Sequence, residues 1–192
     1  MKFAEYARQD SDYLKAAGRL YKVFFILLLV AYFLPTSLLA FTSFGRNLTS
    51  SLMEASPDSF FQNQILLLNG LGPQFGITYL AQAVIYSFLP PCFAVLLARA
   101  SNNLILKAKV MGHAFPELPK LSLFSIFLSL ASFAPLLFSG YISAATDRSI
   151  ADRVVLWPVS VSITLGASFF MLNGLHLLFL AAKLAAIQPD RR

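Results

Sequence analysis

The residues of this chain that could do chemistry inside a membrane are hydroxyls, one histidine and a few amides. Of the two histidines only His176 stands in a long apolar stretch, and the single cysteine, Cys92, follows two prolines in another. One cysteine and two histidines do not supply the four ligands of a tetrahedral metal site. We predict that His176 is a structural histidine hydrogen-bonded within the protein, with contact to a haem or quinone as the alternative.

The surroundings of His176 do not suggest catalysis. A histidine that activates a serine needs an acid to orient its imidazole, and no Asp or Glu occurs in the central part of any long apolar stretch. Proton relays and ion pumps also place ionisable groups at membrane depth. The sequence therefore predicts a protein that is not an enzyme and that holds no cofactor or metal.

Serines recur at helical spacing along residues 121–145, in steps that alternate between three and four once Leu136 fills one position. They fall on one helix face and are Ser122, Ser125, Ser129, Ser132, Ser139 and Ser143. Small residues on a membrane helix let another helix approach closely, and their hydroxyls can bond across the contact. A second face of small residues, within 154–187, includes Ser160, Thr164 and Gly174. We predict that these two seams pack together; the alternatives are a serine-lined cavity and a helix of another subunit.

The elements that carry these residues are membrane spans. Hydrophobic residues make up 57% of the chain and charged residues 12%, against about 25% charged in a soluble domain. A bilayer needs roughly 20 apolar residues in a helix, and four stretches qualify, at about 20–44, 77–100, 121–145 and 154–187. The predicted fold is an all-α polytopic membrane protein, with residues 1–192 as a single four-helix domain.

The orientation of the spans follows from the basic residues. Twelve of the fifteen lysines and arginines lie in the amino-terminal leg, around the loop at 101–120, or at the carboxyl end; the others are Arg46, Arg148 and Arg153. Cytoplasmic segments carry such an excess. We predict a multi-pass protein of a bacterial inner membrane, with both termini cytoplasmic. Anionic lipid accounts for the net charge of +6, so no nucleic-acid partner is expected.

Two further helices are predicted outside the spans. Residues 1–19 read as an amphipathic lead-in at the headgroup level, or as a docking helix, with Asp10 or Ser11 capping the helix that follows. In the outer loop, 45–76, a helix from Ser56 to about Leu68 is apolar. It should lie on the bilayer, fold back over the bundle, or bind a partner through Phe60, Phe61, Ile65 and Leu68.

These features predict an accessory or scaffolding subunit of a larger membrane complex, acting through helix packing. Its expected partners are the lipid bilayer and other membrane-protein subunits. One alternative is a small transporter or ligand-binding protein with a serine-lined cavity. Another is a sensor or immunity-type membrane protein that reads a partner through the outer loop.

Overall fold

Helices make up 91% of the described part of the chain. The computed structural model describes residues 2–39, 42–44, 47, 51, 60–69, 73–145 and 159–187, and no strand occurs among them. In chain order the helices are α1 (Phe3–Arg8), α2 (Ser11–Leu39), α3 (Phe60–Asn69), α4 (Pro73–Ala100), α5 (Asn102–Val110), α6 (Leu118–Leu137), α7 (Ser139–Ala145) and α8 (Val159–Ile187).

Three of these helices are long and apolar enough to cross a bilayer. They are Phe75–Ala100 in α4, Leu118–Leu137, which is α6, and Ser162–Ala186 in α8. They correspond to the predicted second, third and fourth spans. The predicted first span follows α2 as far as Leu39 and then leaves the described residues, so the count of four and the topology stay predictions.

The chain divides into two compact units. Unit 1 comprises Met1–Ile26, Phe88–Ser129 and Ser168–Arg192, and unit 2 comprises Leu27–Ser87 and Leu130–Ala167. Helices α2, α4, α6 and α8 contribute residues to both.

Helix α1 packs on other parts of unit 1. Tyr6 and Ala7 are buried in an apolar cluster whose other buried members are Leu104, Ile105, Ala108, Phe115, Leu118 and Leu180. The ring of Phe3 meets that of Phe115 edge to face, at 5.4 Å between centroids, and its N–H donates to Glu117 Oε1 at 2.8 Å. The chain itself covers this side of α1; that residues 1–19 lie at the headgroup level stays a prediction.

Asp10 joins the first two helices to α5. Its carboxylate accepts from the Tyr13 N–H at 2.9 Å, so Asp10 is the residue that caps α2. The other oxygen receives the Lys107 ammonium at 2.6 Å. The bond from Lys107, followed by the one from Tyr13, lowers the pKa of Asp10, and the same bond raises the pKa of Lys107.

We expect the Asp10–Lys107 pair to affect how the unfolding free energy falls at acidic pH. The pKa of Asp10 in the folded protein lies below the roughly 3.9 of an unfolded aspartate. The stabilisation from the Asp10–Lys107 pair is therefore fully present above pH ~3.9 and is lost as pH falls through the folded pKa. Asp10→Asn, which keeps a capping oxygen, should flatten the loss of stability below pH ~4. Asp10→Ala should in addition cost about 1 kcal/mol at neutral pH, because the cap is gone. Unfolding titrations in detergent at several pH values measure both effects. If Asp10→Asn loses stability below pH ~4 as steeply as the wild type does, the pairing is contradicted.

Helix α5 ends in a Schellman motif. Gly112 has a φ of 67°, in the left-handed region. Its N–H donates to the Lys109 carbonyl at 2.9 Å, and the His113 N–H donates to Ala108 at 2.9 Å. This turn sends the chain into the segment that carries Phe115 back to the apolar cluster.

In unit 2 the predicted third span is not one unbroken helix. Helix α6 ends at Leu137, Phe138 forms a turn, and α7 begins at Ser139. Pro135 lies just before the break; a proline removes one helical hydrogen bond and crowds the carbonyl four residues earlier. The predicted serine seam therefore runs across two helices.

Candidate functional site

A buried polar cluster of unit 1 lies where α4 meets α5. Ser101, between these helices, is fully buried, and His176 of α8 is 3% exposed. Ser101 Oγ donates to the Leu97 carbonyl at 2.7 Å and lies 3.1 Å from His176 Nε2. A serine hydroxyl has one proton, so His176 Nε2 must be the donor to Ser101. A ligand bound at Nε2 would have to break this bond, which favours the structural role predicted for His176.

Lys183, which is also on α8, binds at the same junction of α4 and α5. Its ammonium donates to the Ala98 carbonyl at 2.7 Å and to Asn102 Oδ1 at 2.7 Å. Ala98 lies in the last turn of α4, where carbonyls lack helical partners and the helix dipole favours a cation. Lys183 thus binds the end of one helix and the start of the next to α8.

Tyr13 of α2 lies near the same junction, and burial and hydrogen bonding both change the pKa of its phenol. Burial raises the pKa of the Tyr13 phenol, and a hydrogen bond with Ser101 offsets only part of that rise. Tyr13 also packs against the apolar cluster of unit 1. Helices α2, α4 and α8 therefore meet around one buried serine.

The Ser101 hydroxyl should therefore matter for stability. In Ser101→Ala the buried Nε2–H of His176 loses its acceptor, which costs about 2 kcal/mol. Ser125→Ala is the matched control, since Ser125 is only half-buried, and should change the unfolding free energy by less than about 0.5 kcal/mol. Equal effects in a detergent unfolding titration would show that the Ser101–His176 bond contributes nothing.

Tyr21 ties α2 to α8 with a second polar contact. Its hydroxyl donates to Asn173 Oδ1 at 2.6 Å, and Asn173 Nδ2 donates to the Phe169 carbonyl at 2.9 Å. Phe169 also stacks on Phe25, at 5.8 Å between ring centroids. These two contacts hold α2 against α8.

The two predicted seams meet in unit 1. Ser122 Oγ of α6 donates to the Gly174 carbonyl of α8 at 2.8 Å. A Cβ added to Gly174 would lie 2.6 Å from Ile126 Cγ1 and 3.0 Å from the Ile126 nitrogen. Glycine is therefore what allows these helices to approach so closely. This contact joins one member of each seam.

The remaining seam residues are placed as follows. Ser129, Ser139 and Thr164 are buried, and Ser125 and Ser132 are half-buried. The side chains of Ser143 and Ser160 lie outside the described part. That the seams face each other along their whole length stays a prediction.

The predicted outer-loop surface belongs to α3 in unit 2. Helix α3 ends at Asn69, near the predicted stop, whereas the predicted start at Ser56 and the side chain of Phe61 lie outside the described residues. Ile65 and Leu68 are buried against Phe75 and Tyr79. The Phe60 ring packs on Phe138 and Tyr141. Ile65 and Leu68 therefore contact the chain's own apolar cluster, as expected for a helix that folds back.

A side chain of α3 also forms hydrogen bonds with the backbone at the break between α6 and α7. Gln64 is fully buried, and its Oε1 accepts from the N–H groups of Gly140 at 2.7 Å and Tyr141 at 3.3 Å. The Tyr79 hydroxyl donates to the Leu137 carbonyl at 3.1 Å. Sequence reasoning missed Gln64, which is one of four amide side chains on α3, with Gln62, Asn63 and Asn69.

Among the described residues, no three His, Cys, Asp or Glu side chains come together as a metal-binding group. Cys92 is exposed on α4. No protein-family model, curated protein or solved structure matches this chain.

Proposed function

We propose that this chain is a non-enzymatic integral membrane protein, an accessory or scaffolding subunit of a larger membrane complex that acts through helix packing. Three apolar helices suit a bilayer. A fourth span, cytoplasmic termini and a place in a bacterial inner membrane belong to the same proposal. Its partners would be the bilayer and other membrane subunits, with no nucleic acid and no cofactor.

One observation carries this proposal: unit 1 uses its polar side chains to hold helices together. The interhelical bonds are Ser101 with His176, Tyr21 with Asn173, Ser122 with the Gly174 carbonyl, and Lys183 with Ala98 and Asn102. Side chains bound in this way stabilise and orient helices. They are not free to bind or activate a substrate without breaking those bonds, which supports a structural role.

The alternatives receive less support. A serine-lined cavity needs hydroxyls that face water, whereas Ser122 donates to Gly174 and Ser129 is fully buried. A sensor would read its partner through apolar side chains of the outer loop, and of those on α3 Ile65 and Leu68 pack within unit 2, which leaves Phe60 and Leu66 exposed.

The test is the composition of the native particle. Purified in mild detergent from its own membrane, the protein should form a particle of fixed stoichiometry, heavier than one 21.2 kDa chain with its detergent. Native mass spectrometry and cross-linking measure this directly. A strictly monomeric particle across several mild detergents would contradict the proposal.

A further inference from the structure

The outward face of α2 changes from basic to apolar along the helix. Lys15, Arg19 and Lys22 are exposed and follow one another in steps of four and three residues, so they share one helix face. We call these three residues the basic stripe. Ile26 continues this face four residues later and is 49% exposed, whereas Phe24, on the opposite side of the helix, is fully buried. One continuous outer face therefore carries first cations and then apolar side chains.

The basic stripe has no acidic partner in the part of the chain that the structure describes. The one ion pair there joins Lys107 to Asp10. Asp12 is the single acid of α2, and it stands one turn before the stripe without forming an ion pair to it. The three cations are therefore available to an anion from outside the chain.

Hydrogen bonds to α8 show that two further helices of unit 1 carry a cation at the level of the stripe. The bonded pairs are Tyr21 of α2 with Asn173, Ser122 of α6 with Gly174, and Ser101, which follows α4, with His176. The three partners on α8 cover only about 5 Å of its axis at 1.5 Å per residue. Lys22, Arg99 and Lys120 are exposed and lie within two residues of these bonds. One level of unit 1 therefore has a basic side chain on each of three helices.

This level falls at the ends of two candidate spans. Arg99 precedes the last residue of the span in α4, and Lys120 lies in the first turn of the span in α6. Exposed side chains on the span side of these two cations are apolar: Val95, Leu96, Leu123, Phe124 and Phe127. Cations at the ends of apolar helices are typical of the boundary between hydrocarbon and headgroups.

The direction of the helices puts the apolar side chains of α2 and α4 on the same side of this level. Tyr13 of α2 bonds to Ser101, whereas Phe24, later in α2, packs against Phe93, earlier in α4, at 5.3 Å between ring centroids. The two helices are thus antiparallel. The apolar residues that follow the stripe in α2 and those that precede Arg99 in α4 therefore extend in one direction.

A phospholipid fits this arrangement better than a docked protein does. Asn173, Gly174 and His176 point in different directions around α8, so the three helices with a cation lie on different sides of it. A docked protein covers one side, whereas lipid surrounds a membrane protein. A phospholipid also presents a phosphate and then acyl chains, which is the order of charge and apolar surface on α2.

We propose that the basic stripe of α2 binds the phosphate of an anionic phospholipid, whose acyl chains lie along Ile26. The guanidinium of Arg19 suits a phosphate because it can donate two parallel hydrogen bonds, and Lys22 adds a point charge beside it. This inference rests on the bilayer as a partner under the proposed function, and it names the class of lipid and the place where that lipid binds.

The experiment counts the phospholipids that the full chain retains. Protein freed of lipid in a mild uncharged detergent is titrated with phosphatidylglycerol or phosphatidylcholine, and native mass spectrometry gives the affinity for the first lipid bound. Each basic side chain near an anionic headgroup contributes roughly a fivefold preference. We therefore expect the wild type to prefer phosphatidylglycerol by about 100-fold, and Arg19→Gln with Lys22→Gln to retain only about a fivefold preference.

Arg8→Gln with Lys109→Gln is the matched control. Both residues are exposed in unit 1 and lie outside α2, and the control also removes one arginine and one lysine. Its preference for phosphatidylglycerol should equal that of the wild type. Unfolding titrations of both double variants should give the wild-type stability, since all four side chains are exposed.

Each other outcome overturns the proposal. An equal loss of preference in the two double variants would assign the effect to net charge. Equal affinity of the wild type for both lipids would remove the site. Displacement of phosphatidylglycerol by an equal concentration of glycerol phosphate would show that acyl chains are not recognised. Displacement by a glutamate-rich amphipathic peptide would assign the stripe to a protein partner.

Failure of the lipid site is separable from failure of the proposed function. If the native particle is heteromeric but the wild type does not prefer phosphatidylglycerol, the lipid site is wrong while the subunit role stands. If the particle is strictly monomeric and the preference is lost only in Arg19→Gln with Lys22→Gln, the subunit role fails and the lipid site stands.

Discussion

Alanine at Gly174 should destabilise the protein, whereas alanine at Gly166 on the same helix should not. The added methyl at Gly174 would press on the Ile126 side chain at 2.6 Å and on the Ile126 nitrogen at 3.0 Å. An isoleucine is stiff at χ1 and a backbone atom cannot move alone, so the helices must separate. We expect a loss of about 2 kcal/mol for Gly174→Ala and more for Gly174→Val.

Gly166 is the matched control because a Cβ there has no described atom within 4 Å. Gly166→Ala should be neutral or stabilise slightly, since alanine favours the helix by up to about 1 kcal/mol. The two variants make the same chemical change, so their difference isolates the contact between α6 and α8. Unfolding titrations in mixed micelles give both values. Equal effects would mean that the two helices do not meet at Gly174.

Ser122 adds a second measure of this contact. Its hydroxyl reaches the Gly174 carbonyl only while the helices stay close, and such bonds contribute about 0.6–2 kcal/mol in membrane proteins. If the close approach creates the bond, Ser122→Ala should cost less in a Gly174→Val background than in the wild type. A double-mutant cycle measures this coupling. Additive effects would show that the bond forms independently of the glycine.

Part of this arrangement could be predicted from residue spacing alone. Serines at steps of three and four predict a face suited to close helix packing, and Ser122 does bond to Gly174, a member of the other predicted seam. Glycine adopts the left-handed conformation at little steric cost, which suits the end of α5 at Gly112. Local patterns suffice where one helix face, or one residue's own backbone, decides the outcome.

Contacts between distant segments could not be predicted in the same way. The buried side of α1 is defined by Leu104, Phe115 and Leu180, and no local signal distinguishes this face from one that lies on lipid. The bond from Ser101 to His176 joins residues 75 positions apart. An amphipathic pattern tells which side is apolar but not what covers it.

The break between α6 and α7 leads to the second large expected effect. In an unbroken helix the Tyr141 N–H would donate to the Leu137 carbonyl. Here the N–H donates to Gln64 instead, and the carbonyl accepts from Tyr79. Side chains from α3 and α4 therefore satisfy both halves of one missing helical bond. Since the break falls inside a predicted span, these partners matter more than they would in water.

Gln64→Leu should therefore cost about 3 kcal/mol, because it removes the acceptor shared by Gly140 and Tyr141 and leaves polar N–H groups unsatisfied. Asn63→Leu, at an exposed position of the same helix, should change stability by less than about 0.5 kcal/mol. Tyr79→Phe removes only the donor to Leu137 and should cost about 1 kcal/mol. Unfolding free energies in mixed micelles, with amide hydrogen exchange at Gly140 and Tyr141, distinguish these cases. Slow exchange retained in Gln64→Leu would show that α6 and α7 can close into one helix without help from α3.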